Sequence, residues 1–288
     1  MRVSDILHAG GVTVSCELFP PKHGAGLDDA KTVVCETAAL NPSFISITHG
    51  AGGGTSSSTI SLAREAQDTG GVTALAHLTC VSSSLETVRN SLEEMKRYGI
   101  ENILALRGDI PPGAPFPLTG DFRFARDLVE VIMKSGDFCV GGACYPEGHP
   151  ESPTLDEDFE NLKTKADCGC SFFVTQMFFD NNILYNFMFR LLKKGIHIPV
   201  VAGIMPVTNG RQIARICKLS GTALPPRFKA ITDKFADNPA AMNQAGVAYA
   251  TEQIIDLVAN GVNHIHIYTM NKPDIAGRIM QNLSEILK

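Results

Sequence analysis

Residues 73–107 read TALAHLTCVSSSLETVRNSLEEMKRYGIENILALR. Two short apolar runs, Thr73–Thr79 and Asn102–Arg107, stand at its ends and have the length of buried strands. The segment between them has helical spacing, with one apolar stripe formed by Leu85, Val88, Leu92 and Met95. The serines before this segment can cap a helix, and Gly99 can end it. The stretch therefore predicts a strand, a helix and a second strand.

The same alternation continues along the whole chain. Eight strands are predicted, at Val12–Phe19, Phe44–His49, Thr73–Thr79, Asn102–Arg107, Cys139–Tyr145, Phe172–Phe178, Ile198–Met205 and His264–Tyr268. The helices that follow them are predicted at Asp28–Leu40, Ser57–Asp68, Ser84–Tyr98, Phe124–Lys134, Leu155–Cys168, Asn182–Lys194, Asn209–Leu219 and Pro273–Ile286. Two extra helices are expected between the seventh and eighth strands, at Pro226–Phe235 and Asn238–Asn260.

This order of elements predicts an α/β fold with a parallel sheet covered by helices. Eight units without a break in composition favour a closed (β/α)8 barrel of the TIM type, which commonly takes about 250 residues. An open doubly wound sheet would alternate in the same way and is the alternative. The chain of 288 residues is therefore expected to form one domain, 1–288.

The composition, with 44% hydrophobic and 19% charged residues, is typical of a globular protein. The net charge of −5 and the scattered basic residues give no electrostatic reason to expect a nucleic acid or an anionic membrane as partner. No apolar run approaches the ~20 residues of a membrane helix, and the N-terminus lacks the pattern of a secretory signal. The eight cysteines contain no C-x-x-C pair. We expect a cytoplasmic protein with reduced thiols.

Polar residues collect where the predicted strands end. They are Glu17, Thr48, His49, His77, Arg107, Asp109, Tyr145, Gln176 and Tyr268. In a (β/α)8 barrel the C-terminal ends of the strands form the active site. The pattern therefore predicts an enzyme whose site lies at this end of the barrel.

Two acids of this set, Glu17 and Asp109, are candidates for catalysis or ligand binding. Glu17 lies among apolar neighbours, where desolvation is expected to raise its pKa and make it a general acid near neutral pH. The alternative is a structural ion pair with a lysine or arginine. Asp109 follows Arg107 by two positions, so both are expected to point the same way on an extended strand. The intervening Gly108 favours ligand binding, because it lets the backbone approach a ligand closely. The alternative is an ion pair between Asp109 and Arg107.

Three further motifs are weak. Gly50–Thr55 follows a strand, but a threonine stands at the last glycine of the G-x-G-x-x-G pattern. The phosphate-binding pattern G-x-x-x-x-G-K-[ST] is absent from the sequence. His264 and His266 share a strand face and could begin a metal site, but no further ligand follows at a matching spacing. We expect packing or hydrogen-bonding roles for these histidines and no metal.

Over nearly its whole length the sequence resembles the methylenetetrahydrofolate reductase family. The matching stretches are ELFPPK (17–22), ITHGA (47–51), HLTC (77–80), LALRGDIPP (104–112), YPEGHPE (145–151), TQMFFD (175–180) and GIMPV (203–207). The Leu-Arg-Gly-Asp and Tyr-Pro-x-x-His-Pro-Glu segments are highly specific in combination. The family's catalytic domain is a (β/α)8 barrel with non-covalent FAD, so the resemblance implies the same fold and cofactor.

The resemblance also implies an activity, the reduction of 5,10-methylenetetrahydrofolate to 5-methyltetrahydrofolate with hydride from NADH or NADPH through FAD. It makes Glu17 the general acid toward the bridging nitrogen of the folate and places Asp109 near the flavin and the pterin. The implied FAD contacts are Thr48, His49, Ala51, His77, Arg107, Gly108, Asp109, Ala125, Tyr145, His149, Asp158, Asn161 and Lys165. The implied contacts of folate and nicotinamide are Glu17, Asp109, Gln176, Gln212 and Lys272.

The chemistry of several implied contacts is reasonable. Arg107 and Lys165 can meet a pyrophosphate. Asp158, Asn161 and Lys165 follow one another at i, i+3 and i+7, so one face of a helix can present all three. The alternative for this helix face is an ordinary solvated charge pattern.

Three residues depart from the family pattern. Thr164 and Lys272 stand where relatives often have arginine, and Ile216 stands where a phenylalanine or leucine is commoner. Lys272 keeps a charge for a folate carboxylate but loses bidentate geometry.

The departures at Ile216 and Lys272 motivate one alternative, a flavin-bearing electron-transfer subunit that needs a partner protein as electron donor. Another is a metal-dependent barrel hydrolase that uses His264, His266 and Asp109. We also expect a homo-oligomer. Since the sequence ends at Lys288, we expect no regulatory domain of the kind that binds S-adenosylmethionine in longer relatives.

Overall fold

A computed structural model describes residues 1–21, 26–49, 56–81, 83–110 and 120–288. Eight parallel strands pair in chain order, and the last closes on the first. The strands are β1 Thr13–Leu18, β2 Phe44–Ile47, β3 Ala74–Thr79, β4 Asn102–Leu106, β5 Cys139–Cys144, β6 Phe172–Thr175, β7 Val200–Ile204 and β8 His264–Tyr268. The predicted (β/α)8 barrel is confirmed, and the alternative of an open sheet is wrong.

The helices of this part of the chain follow the predicted order. They are α1 Val3–His8, α2 Leu27–Ala38, α3 Ser56–Asp68, α4 Leu85–Arg97, α5 Ala125–Ser135, α6 Leu155–Asp167, α7 Asn181–Lys193, α8 Gly210–Ser220, α9 Pro226–Phe235, α10 Pro239–Ala259 and α11 Pro273–Asn282. Helices α9 and α10 confirm the extra segment between β7 and β8. The Ser84 side chain caps α4 by accepting a hydrogen bond from the backbone of Thr87, as the serine run predicts.

Helix α1 was not predicted, and it closes the N-terminal end of the barrel. Its Val3 and Leu7 side chains join the apolar barrel interior, which contains Phe44, Leu75, Leu104, Cys139, Phe172, Val174 and Val201. The backbone N–H of Val3 donates to Asn102 Oδ1 at 2.8 Å, which ties the helix to the start of β4. The apolar interior therefore occupies the N-terminal half of the barrel and leaves the other end for polar groups.

Strand β6 ends at Thr175, three residues before its predicted end at Phe178. The apolar run continues because Met177 and Phe179 pack among residues of α8, α9 and α10. These extra helices thus build a second apolar cluster beyond the C-terminal ends of β6 and β7.

Gly246 lies on α10 where that helix contacts the segment after β7. A methyl group at this position would overlap the carbonyl oxygen of Val207, a backbone atom that cannot rotate away. Gly246→Ala is therefore expected to lower the free energy of unfolding by about 2 kcal/mol, measured by urea unfolding. Gly120→Ala is the matched control, because a methyl group there meets nothing within 4 Å. Equal stability of the two variants would contradict this close packing of α10.

Among the described helices, none combines the length and the apolar character needed to cross a bilayer.

Candidate active site

The inward-facing positions of β1, β2, β3 and β8 become polar toward the C-terminal end of the barrel. Alternation along a strand puts Ser15 and Glu17 of β1 on one face, and the pairing of β1 with β8 sets Ser15 beside His266. Strands β2 and β3 add Ser46 and His77. The closed barrel thus collects two serines, two histidines and one carboxylate from four strands.

Glu17 lies between the two histidines. Its Oε2 is 3.7 Å from His77 Nε2 and 3.6 Å from His266 Nε2. The Glu17 side chain is 20% exposed, whereas the side chains of His77 and His266 are 6% and 1% exposed. Among the residues that the structure describes, the charged contacts of Glu17 are to the two histidines and not to a lysine or an arginine. The carboxyl group is the member of the cluster that a ligand can reach.

The hydrogen bonds of His266 favour one tautomer of its neutral imidazole. The Ser15 hydroxyl donates its one proton to the carbonyl of Ile265 at 3.0 Å, so it accepts from His266 Nδ1 at 2.8 Å. In a neutral His266 this pattern leaves the lone pair of Nε2 facing Glu17. That Nε2 atom is buried and has no hydrogen-bond partner in the described part of the chain. His266 can therefore accept a hydrogen bond from the protonated form of Glu17.

His77 stands on the other side of Glu17. Its Nε2 lies 2.6 Å from the Ser46 hydroxyl oxygen. Burial is the main reason that the pKa of His77 falls to about 4, although the nearby Glu17 acts in the opposite direction. His77 is consequently a neutral imidazole at physiological pH.

The segment after β8 fixes the end of β1 and with it Glu17. The Thr269 hydroxyl donates to the Glu17 carbonyl at 2.6 Å, and the Asn271 side chain exchanges two hydrogen bonds of 2.9 Å with the Phe19 backbone. Met270 and Asn271 have φ angles of 53° and 55°, a left-handed conformation that costs energy outside glycine. Sequence reasoning missed these contacts; the only signal is that asparagine tolerates this conformation.

The Arg-Gly-Asp segment lies beyond the end of β4, so it is not extended as predicted. Gly108 has a φ angle of 88°, and Asp109 is exposed. The Arg107 guanidinium forms a bidentate ion pair with Glu151, at 2.5 and 2.7 Å. The predicted alternative of an ion pair between Arg107 and Asp109 is therefore wrong, because a carboxylate of the β5–α6 loop takes that position.

The loop between β5 and α6 carries two residues of the implied FAD set, Tyr145 and His149, and Asp158 follows in the first turn of α6. The rings of Tyr145 and His149 meet edge to face with centroids 4.5 Å apart. Asp158 is buried and accepts hydrogen bonds from the His149 backbone at 3.2 Å and the Ser152 hydroxyl at 3.1 Å. Burial raises the pKa of Tyr145 to about 12 and lowers the pKa of His149. Asp158 thus organises this loop rather than facing solvent.

Helix α6 presents its three predicted residues in different surroundings. Asp158 is buried, Asn161 is exposed and Lys165 is half-buried. The Lys165 ammonium donates to the carbonyl of Ala143 at 2.5 Å, and burial lowers its pKa. The Thr164 hydroxyl bonds the helix backbone at Glu160. The helical spacing is confirmed, but the Lys165 ammonium is already bonded to a carbonyl.

Three other implied FAD positions, Thr48, His49 and Ala125, lie in the part of the chain that the structure describes. The Thr48 backbone N–H donates to Leu18 at 2.9 Å, and the half-buried His49 has a buried Nδ1 without a hydrogen-bond partner in the described residues. Burial also lowers the pKa of His49. Ala125 begins α5, and Ala51 lies outside the described residues.

Three of the residues implied for folate and nicotinamide, Gln176, Gln212 and Lys272, lie on three separate segments. Gln176 Oε1 accepts from its neighbour's backbone, Met177 N–H, at 2.9 Å. Gln212 is exposed on α8. The Lys272 ammonium donates to the Thr208 hydroxyl at 3.0 Å, before α11 begins. Among the described residues, no hydrogen bond joins the side chains of Gln176, Gln212 and Lys272 to one another.

The two histidines of β8 take hydrogen-bonding roles. His264 Nδ1 lies 3.0 Å from the Thr13 hydroxyl near the N-terminal end of the barrel, whereas His266 contacts Ser15. Among the residues that the structure describes, no group of three or more histidine, cysteine, aspartate or glutamate side chains is arranged to hold a metal ion. The hydrolase alternative therefore lacks a ligand set in this part of the chain.

A closed parallel barrel with a carboxylate between two imidazoles at its C-terminal end belongs to the class of (β/α)8 barrels that bind ligands at that end. The chain belongs to the methylenetetrahydrofolate reductase family, because the model of that family matches residues 2–284.

Two curated relatives illustrate the relationship. The 5,10-methylenetetrahydrofolate reductase of Escherichia coli K12 is 31% identical over 274 residues, which cover 95% of this chain and 91% of that protein. Methylenetetrahydrofolate reductase (NADH) 1 of Zea mays is 36% identical over 300 residues, which cover 99% of this chain and 51% of the maize protein. The chain thus spans about half the length of the plant reductases that it matches.

One solved structure supports the fold. It is an uncharacterised protein from Clostridium thermocellum that binds two copies of 5-methyl-5,6,7,8-tetrahydrofolic acid. The TM-score is 0.63 at 12% identity, over 99% of both chains. At this identity the likeness concerns the barrel alone.

Proposed function

We propose that the protein reduces 5,10-methylenetetrahydrofolate to 5-methyltetrahydrofolate, with hydride from NADH or NADPH and with non-covalently bound FAD. The observation that carries the proposal is the position of Glu17, a partly exposed carboxyl group held between two buried histidines. Membership in the reductase family supports the choice of substrate.

The side chains at the C-terminal end of the barrel fit FAD in their chemistry. His49 has a buried ring nitrogen without a partner in the described residues, and Arg107 offers a planar cation. FAD, when bound, supplies the means of passing a hydride from nicotinamide to folate. The contact set that we propose is Thr48, His49, Ala51, His77, Arg107, Gly108, Asp109, Ala125, Tyr145, His149, Asp158, Asn161 and Lys165.

Glu17 is the proposed proton donor. Its carboxyl group can hold a proton against the Nε2 lone pair of His266 and present it to the bridging nitrogen of the folate ring. The hydrogen bonds from Thr269 and Asn271 hold the backbone at the end of β1, from which the Glu17 side chain extends. Because His77 remains neutral, it does not form an ion pair with the Glu17 carboxylate. Such an ion pair would oppose protonation of Glu17.

The other proposed substrate contacts are Asp109, Gln176, Gln212 and Lys272. Asp109 and Gln212 are exposed, so a ligand can reach both. Lys272 can offer its charge to a folate carboxylate if it leaves Thr208. Ile216 packs against the apolar cluster of Met177 and Phe179, so a contact with nicotinamide would use Gln212 on the same helix.

The test is an anaerobic stopped-flow experiment on the purified protein that follows flavin absorbance. NADH or NADPH is mixed first and 5,10-methylenetetrahydrofolate second. Bleaching followed by recovery is the expected result. Failure to bleach with either nucleotide, together with recovery of chemically reduced protein by folate, would point to a partner protein as electron donor. Protein that neither contains nor binds a flavin would overturn the proposal.

Arg107→Ala is expected to weaken FAD binding about tenfold or more, because a charge-assisted bond to the pyrophosphate is lost. Titration of flavin-free protein with FAD, followed by flavin fluorescence, measures the dissociation constant. Arg64→Ala is the control, because Arg64 pairs with Asp68 on the outer helix α3. Unchanged FAD affinity in Arg107→Ala would remove Arg107 from the proposed contact set.

A further inference from the structure

Arg107, which belongs to the proposed FAD set, forms an ion pair with Glu151, which does not belong to it. Glu151 Oε2 lies 2.5 Å from one terminal nitrogen of Arg107, and Oε1 lies 2.7 Å from the other. The remaining Nε of Arg107 donates to the carbonyl of Gly108 at 3.2 Å. The forked edge of the guanidinium, which a diphosphate would approach, is therefore already covered by a carboxylate.

The two partners differ in their freedom to move. The Arg107 side chain is 15% exposed, whereas the Glu151 side chain is 43% exposed. Glu151 lies in an irregular segment before α6, where its backbone N–H donates to His149 Nδ1 at 3.1 Å. An anion that arrives at Arg107 can displace the Glu151 side chain while the backbone of the loop stays in place.

A carboxylate and a diphosphate cannot share one fork at full strength, since both are anions that use the same two donors. We propose that Glu151 is an internal competitor for Arg107: it neutralises the guanidinium in the flavin-free protein and gives it up when the diphosphate of FAD binds. This inference rests on the proposed function. It assigns Glu151 to the control of cofactor affinity, a role that the set of FAD contacts does not include.

The competition has a definite sign. Removing the charge of Glu151 should strengthen binding of the diphosphate, whereas a residue that merely orients Arg107 would weaken binding when it is changed. Glu151→Gln is expected to lower the dissociation constants of FAD and of inorganic pyrophosphate by about fivefold, the scale of a partly exposed ion pair. The gain should be absent in the Arg107→Ala background, because the competition acts through that guanidinium.

The experiment titrates FAD and, separately, inorganic pyrophosphate into flavin-free wild type, Glu151→Gln, Arg107→Ala and the double variant. Glu157→Gln is the matched control, because it removes one exposed carboxylate near the start of α6 without touching Arg107. Calorimetry detects both ligands and does not depend on catalytic activity.

The outcomes separate the two proposals. Tighter binding of both ligands by Glu151→Gln alone, with Glu157→Gln unchanged, supports the inference. Equal or weaker binding of FAD by Glu151→Gln overturns the inference and leaves the proposed function standing. An equal gain in Glu157→Gln overturns it as well, because the effect would then be one of net charge. A wild type that binds no FAD overturns both proposals.

Discussion

Glu17→Gln is expected to bind FAD and to be reduced by NADH at nearly the wild-type rate, yet to transfer hydride to 5,10-methylenetetrahydrofolate about 1000-fold more slowly. Glutamine keeps the size of the side chain and its position between His77 and His266, but it has no acidic proton. General acid catalysis by a positioned side chain contributes rate factors of about 100 to 10,000. The loss should therefore fall on the folate step and leave the nicotinamide step intact.

The measurement is anaerobic stopped flow, with the two steps followed separately in one preparation. Glu101→Gln serves as the control, because Glu101 pairs with the N-terminal amine of Met1 at the opposite end of the barrel. This control should keep both rates. If Glu17→Gln reduces folate at the normal rate, Glu17 is not the proton donor. If it loses the nicotinamide step as well, the substitution has damaged the flavin site and not only the acid.

The barrel could be predicted because each of its units has a local signature. An apolar run of strand length and a helical stripe are both visible within about 30 residues of sequence, as in residues 73–107. Helix α1 has six residues, too few to show a period, and its role depends on the barrel interior that Val3 and Leu7 enter. The end of β6 was misplaced because Met177 and Phe179 are apolar for another reason, their packing among the extra helices.

The candidate site could be predicted only in part, because its partners lie far apart in the chain. The sequence singles out Glu17, but His266 lies 249 residues away and reaches it through the pairing of the last strand with the first. Ser15 and Ser46 are ordinary strand residues until the register of the closed barrel sets them beside histidines. In the same way, the partner of Arg107 comes from another part of the chain, the loop between β5 and α6.

The buried imidazole of His77 should make the protein sensitive to acid. Its pKa is about 4 in the folded state, against an ordinary value of 6.5, mainly because of burial. Glu17 opposes this shift, whereas His266 and His49 add to it. The unfolded chain therefore binds the proton more readily than the folded protein does. The stabilising contribution is complete above pH 6.5 and is lost as the pH falls from 6.5 toward 4.

The expected loss is about 2 kcal/mol of unfolding free energy at pH 5 and about 3 kcal/mol in the limit of low pH, since one pKa unit corresponds to about 1.4 kcal/mol. His77→Gln can still bond Ser46 but does not titrate in this range. Between pH 7 and pH 5 its unfolding free energy should therefore fall by about 2 kcal/mol less than that of the wild type. Urea unfolding of the flavin-free protein at both pH values measures the difference without a contribution from cofactor release. His197→Gln, which removes an exposed histidine, should behave like the wild type. Parallel losses in the wild type and His77→Gln would mean that His77 is protonated as easily in the folded barrel as in water, and that the cluster around Glu17 is open to solvent.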